Sequence, residues 1–253
     1  MSDVQRVIEV ARSYYDSEDA DRFYAEVWGG EDIHVGLYER DDEPIFEASR
    51  RTVRRLADRV ALREGQRVLD LGAGYGGAAR HLAGHYGARV DALNLSRVEN
   101  ERHRRLNRER GLADRIAVHD GAFEDLPFEA DAFDVVWSQD AILHSGDRAR
   151  VLREAARVLR PGGALVFTDP MMADACPPGV LQPILDRIHL SSLGSPRFYR
   201  ATAEALGLEL VAYEDHSEQL VRHYARVLEE TERREAELRP RIGTDYLARM
   251  KKG

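Results

Sequence analysis

Val68-Leu69-Asp70-Leu71-Gly72-Ala73-Gly74-Tyr75-Gly76-Gly77 joins an apolar run to glycines spaced GxGxxG, with a carboxylate just ahead of them. Glycines at positions 72, 74 and 77 permit a tight turn and close approach of a ligand to the backbone. Asp70 has two compatible uses there: capping the turn through its N–H groups, or holding a cationic ammonium group. About 20 residues on, where a ribose site expects an acidic side chain, stands Asn94. Asparagine still bonds a hydroxyl, more weakly than a carboxylate does. Gln139, Asp140 and His144 form a further polar group, and Asp120, Phe123 and Glu124 lie where an adenine would rest.

These residues need a scaffold, and the chain alternates as βαβ units do. Runs at 68–71, 88–94, 115–119, 133–138, 164–169 and 208–213 read as strands, and helical periodicity lies between them. Ser96 opens an arginine-rich helix to about Arg110, and Arg160-Pro161-Gly162-Gly163 reads as the stop of a helix begun near Asp147. Pro44 opens a helix through about Leu62, and His216 to Leu238 is a charged helix with Leu220, Tyr224, Val227 and Leu228 inward. Right-handed crossovers make this an α/β fold, a doubly wound, mostly parallel sheet with helices on both faces. Its ligands bind outside the carboxyl ends of the strands.

Two stretches stand outside that pattern. Helical patterns over Val4, Val7, Ile8 and Ala11 and over Ala20, Phe23, Tyr24 and Val27 precede an irregular, aromatic segment from Trp28 to Tyr38. That segment serves as a packed connection or as a lid with Tyr24, Trp28 and His34 facing a ligand. The division expected is 1–63 for N-terminal helices and lid, and 64–253 for the core, with an insert at 170–195 beyond the fifth strand.

Composition narrows the class. The 253 residues carry a net charge of −8, which argues against nucleic acid or an anionic membrane as partner. No apolar run nears the ~20 residues of a membrane helix. One cysteine, Cys176, excludes an internal disulfide and fits the cytoplasm, and it leaves no cysteine cluster for a metal.

The glycine turn alone leaves open a dinucleotide, S-adenosylmethionine, or no ligand. Taken with Leu126-Pro127-Phe128, Phe133-Asp134-Val135-Val136 and Leu159-Arg160-Pro161-Gly162-Gly163, it resembles the successive motifs of class I S-adenosylmethionine-dependent methyltransferases. Nicotinamide dehydrogenases share the first motif and not the others. Trp28 to Tyr38, Trp137-Ser138-Gln139-Asp140-Ala141, and the stretches 186–190 and 195–199 further resemble sarcosine/dimethylglycine N-methyltransferases, which complete glycine betaine synthesis. Relatives acting on other small molecules share parts of the pattern.

The resemblance implies a cofactor, S-adenosylmethionine, held by Tyr15, His34, Asp70, Gly72, Gly74, Asn94, Ser96, Ala122, Phe123 and Gln139. It implies an amine or amino-acid substrate near Trp28, Asp140, Arg187, His189, Arg197 and Tyr199, with His144 and Tyr24 as catalytic candidates. Either Arg187 or Arg197 suits a substrate carboxylate, because guanidinium grips one bidentately. Asn94 departs from the acidic ribose residue of the wider class. The seventh, antiparallel strand that normally closes the fold is not evident after Leu210, which leaves a sheet edge needing cover.

Overall fold

The first strand shows how apolar alternation builds the sheet. In β1 (Arg67–Leu71) Val68 faces one core while Leu69 and Leu71 face another, so both faces are covered. With β2 (Arg89–Asn94), β3 (Ile116–Asp120), β4 (Phe133–Gln139) and β5 (Leu159–Thr168) it forms a sheet in the order β3-β2-β1-β4-β5, every pairing parallel. The computed structural model describes residues 9, 12, 15–28, 30–188 and 190–251. The helical pattern over Val4 to Ala11, and His189, fall outside them.

Helix α1 spans Glu18–Glu26, α2 Ile45–Arg59, α3 Gly77–His85, α4 Arg97–Glu109 and α5 Arg148–Val158. Val53, Leu56, Ala79 and Leu82 of α2 and α3 pack on Val68, Val90 and Trp137, while Val151, Leu152 and Ala155 of α5 pack on Leu69, Leu71 and Val136. Ser17 and Ser96 cap α1 and α4 by accepting the N–H groups of Ala20 and Glu99. Beyond β5 come α6 (Gln182–Arg187), α7 (Pro196–Ala205), α8 (Ser217–Arg233), α9 (Glu235–Leu238) and α10 (Thr244–Met250). Phe23, Val27 and Trp28 share a third core with Val227, Leu238, Ile242 and Tyr246, so the first and last helices pack together.

Residues 30–38 are not an exposed flap. Asp32, His34 and Tyr38 are all buried, and the segment is fastened to three helices. Glu31 O accepts from Gly77 N at 3.2 Å, and Arg50 of α2 reaches Asp32 at 2.7 Å and Gly77 O at 3.1 Å. A β-carbon on Gly77 would lie 2.2 Å from Asp32 Oδ1, so this approach requires glycine. Burial pushes the Asp32 carboxyl up, against the pull of His34 and Arg50.

Three expectations are corrected. Residues 208–213 form no strand; Leu210, Val211 and Tyr213 are exposed, and no strand among the described residues forms a ladder with them. An apolar, β-branched run becomes a strand only where a neighbouring ladder accepts its bonds. Arg160-Pro161-Gly162-Gly163 does not stand between helix and strand; it forms an irregularity within β5, where Phe133 pairs with Leu159 but Val135 with Ala164. In α8 Val227 is buried as expected, but its buried companions are Gln219, His223 and Thr231, with Leu220, Tyr224 and Leu228 only partly buried. Gln219 Oε1 accepts from Tyr38 N at 2.7 Å, so bonding to residues 36–38 turns the helix that way.

Replacing Asp32 with Ala leaves Arg50 buried without its partner. The expected loss is about 3–5 kcal/mol, read as a lower urea midpoint at an unchanged m-value.

Candidate active site

The glycine turn is tied to the end of β2, since Gly72 N and Ala73 N both donate to Leu93 O, at 2.9 and 3.2 Å. Gly72 has φ +76°, and a β-carbon there would lie 2.3 Å from the Ala141 Cβ, leaving no room for a side chain. Phe123 Cε1 lies 3.9 Å from the same point, so Phe123 borders the turn, with Ala122 next to it in the chain. Gly74 is backed by Ile33.

Asp70 is 3% exposed, and its Oδ2 has no hydrogen-bond partner among the described residues. Burial first, and then the charge of Asp32, pushes its carboxyl up to about 7. A buried carboxylate so placed calls for a cation. Gln139 presents the opposite need: its Oε1 accepts from Trp137 Nε1 at 3.0 Å, while its Nε2 is buried without an acceptor. His34 Nε2 is buried without a hydrogen bond among the described residues, 4.0 Å from Asp32 Oδ1. Asn94 donates to Glu99 at 2.8 Å, and Ser96 donates to Asp16 at 2.6 Å. An unsatisfied carboxylate acceptor, an unsatisfied amide donor and a cradle without β-carbons fit the ammonium-bearing cofactor that the sequence implies.

On the other side runs a line of rings. His144 and Tyr15 meet edge-on at 5.6 Å, as do Tyr24 and Trp28 at 5.3 Å, and Tyr15 and Tyr24 meet tilted at 5.9 Å. Trp28 then touches His223 at 4.9 Å and Tyr224 at 5.5 Å. The Arg187 guanidinium lies 6.0 Å from the Tyr224 ring centre, and its Nε is buried without a hydrogen-bond acceptor. Arg197 is elsewhere: exposed at the start of α7, with its backbone N donating to Asp174.

His144 Nε2 and Tyr15 Oη are 2.9 Å apart. Burial, and then Arg148, holds this imidazole down at about 4, so it is neutral at physiological pH. Asp140, at φ +50°, accepts from Val35 N at 2.7 Å and Thr168 Oγ1 at 2.8 Å, joining the buried segment to the ends of β4 and β5. Tyr199 is buried outside the line of rings and donates its hydroxyl to Asp169, which also accepts from Leu143 N and is pushed up to about 7 by burial.

Four residues escaped sequence reasoning: His223, Tyr224 as a site ring, Asp169 and Glu99. His223 Nδ1 accepts from Gly36 N at 3.1 Å and Tyr38 Oη at 2.9 Å, and burial, then His34, keeps it neutral, down at about 3. A histidine and a glutamine four apart on one helix face were the available signal for a polar stripe.

A methyltransferase domain family matches residues 69–167. The sarcosine/dimethylglycine N-methyltransferase of Halorhodospira halochloris is 59% identical over 98% of this chain and 89% of its own length. That of Aphanothece halophytica is 56% identical over 100% of this chain and 92% of its own. Among solved structures, a Galdieria sulphuraria protein provisionally assigned as a sarcosine dimethylglycine methyltransferase superposes with a TM-score of 0.89 at 46% identity, over 95% of this chain and 90% of that one.

Only ionised Asp70 attracts an ammonium group, so affinity for S-adenosylhomocysteine should fall as pH drops below about 7, by up to about tenfold per unit. Calorimetry between pH 5.5 and 8 measures this. Asp70→Asn should bind weakly at every pH and lose most of the slope.

Proposed function

Because the chain belongs to the sarcosine/dimethylglycine N-methyltransferase family, we propose that it methylates the nitrogen of sarcosine and dimethylglycine, yielding glycine betaine. S-Adenosylmethionine, when bound, supplies a methyl group on an already activated sulfonium. What remains for the chain's own residues is to orient the amine and exclude water. The observation that carries the reading is the line of rings ending at Arg187, whose guanidinium forms no ion pair among the described residues. An amino acid with a quaternising nitrogen and a carboxylate matches that combination.

The carboxylate goes to Arg187 in this reading, since a buried donor without an acceptor gains most from an anion. Tyr24 and Tyr224 line the ammonium end, and cation–π attraction of about 0.5–2 kcal/mol each favours the charge formed on nitrogen. Trp28 is 6% exposed and met by other rings, which supports a backing role for it. His144, held down at about 4, is a weak proton acceptor. Its contact with Tyr15 supports orientation of that hydroxyl as its task. Sarcosine and dimethylglycine both attack from their unprotonated populations, and each transfer gives up one proton to water. Asp70 takes the cofactor's ammonium group, and Asn94 the ribose. No helix among the described residues is long and apolar enough to cross a membrane. A cytoplasmic enzyme without nucleic-acid partners suits the single cysteine and the net charge of −8.

Labelled S-adenosylmethionine should give methyl transfer to sarcosine and dimethylglycine and none to phenolic acceptors; absence of both amine products sinks the proposal. Arg187→Ala should raise KM for dimethylglycine about tenfold or more, and Arg197→Ala should leave it within about twofold.

A further inference from the structure

Asn94 ends β2 beside the glycine turn, one residue after the carbonyl that holds Gly72 and Ala73. Its main-chain O is occupied by Asn100 Nδ2 at 3.0 Å and Gly121 N at 3.2 Å, so the residue cannot shift freely. The side-chain amide has two faces. Nδ2 donates to Glu99 Oε2 at 2.8 Å, and Oδ1 meets no hydrogen-bond donor among the described residues and is not among the sealed-off polar atoms.

Glu99 is 3% exposed, in the first turn of α4, with its backbone N bonded to Ser96 Oγ at 3.1 Å. It forms no ion pair among the described residues: Arg102, the arginine of α4 whose charge acts on it, is engaged by Asp21 at 2.7 Å. A carboxylate only accepts, so it can bond Asn94 in one orientation of the amide, with Nδ2 inward and Oδ1 outward.

We infer that Glu99 is the positioning residue by which the end of β2 recognises the ribose diol: it turns and polarises Asn94 so that Oδ1 accepts from the ribose hydroxyls. The negative charge that an acid at position 94 would carry is set one side chain back. This rests on the placement of the ribose beside Asn94 proposed above, and does not depend on which amine is methylated. Burial pushes Glu99 up to about 7; Asp21 and Asp16 from the N-terminal segment act in the same direction, Asn94 and Arg102 oppose them, and Tyr75 faces it from the glycine turn. A protonated Glu99 could donate to Oδ1 instead and release the amide to flip.

The test is a comparison of S-adenosylhomocysteine with its 2′-deoxy and 3′-deoxy analogues, bound to the purified protein and followed by calorimetry. Wild type should prefer the ribose form about tenfold or more, and Asn94→Ala should reduce that preference to near unity. Glu99→Ala should do the same, and Glu99→Gln, which keeps the volume and an acceptor oxygen, should give an intermediate preference. The wild-type preference should fall between pH 8 and 5.5, whereas that of Glu99→Gln should stay flat. Asp70 titrates in this range too, but it weakens ribose and deoxy ligands alike and leaves their ratio unmoved. If Asn94→Ala keeps the wild-type preference, the ribose placement fails. If Asn94→Ala loses it while Glu99→Gln and a folded Glu99→Ala both keep it across this pH range, the placement stands and the role of Glu99 is overturned. Should Glu99→Ala not fold, an unchanged, pH-dependent preference in Glu99→Gln overturns it alone.

Discussion

The site depends on carboxyl groups withdrawn from water without a cation against them. Asp70 at the end of β1 and Glu99 at the start of α4 are buried, and Asp169 beyond β5 is partly so. Burial pushes each up to about 7. Each is met differently: Asp169 by Tyr199 and Leu143, Glu99 by Asn94, and Asp70 by nothing at its Oδ2. Uncompensated buried charge is costly, and sites that bind cations or tune protonation are where proteins retain it.

The same economy of contacts governs residues 30–38. Asp32 is the buried acid that does have a cation, Arg50, and through it the segment is bound to α2 and the first turn of α3. Val35 is held by Asp140 and Gly36 by His223. Residues 30–38 are therefore a strap whose backbone groups bond side chains from α8 and from the turn after β4, as its irregular backbone requires.

Asp140 shows how one side chain joins distant segments. Its carboxylate oxygens accept from Val35 N and Thr168 Oγ1, and its φ of +50° turns the chain sharply after β4 toward Ile142–His144. His144 thereby comes to Tyr15, 129 residues earlier in the chain. Arg187 and Arg197 looked equivalent as carboxylate ligands in the sequence, ten positions apart. In the fold one stands beside Tyr224 and the other in solvent.

The amino-acid sequence by itself determined the parallel α/β sheet, the glycine turn with Asp70 ahead of it, the helix caps at Ser17 and Ser96, and the family. Each of these is written in local spacing: a period of two or 3.6, glycines three apart, a serine before a helix. Tertiary structure decided what local spacing cannot carry. Residues 208–213 have strand composition and no ladder to join. The inward face of α8 was set by Tyr38, 181 residues from Gln219, against the apolar periodicity of the helix. Glu99 is spaced like any first-turn helix acid, and the fold sets its carboxylate on Asn94. Hydrogen bonds between distant segments are made by packing, and only packing determines which polar groups are left for a ligand.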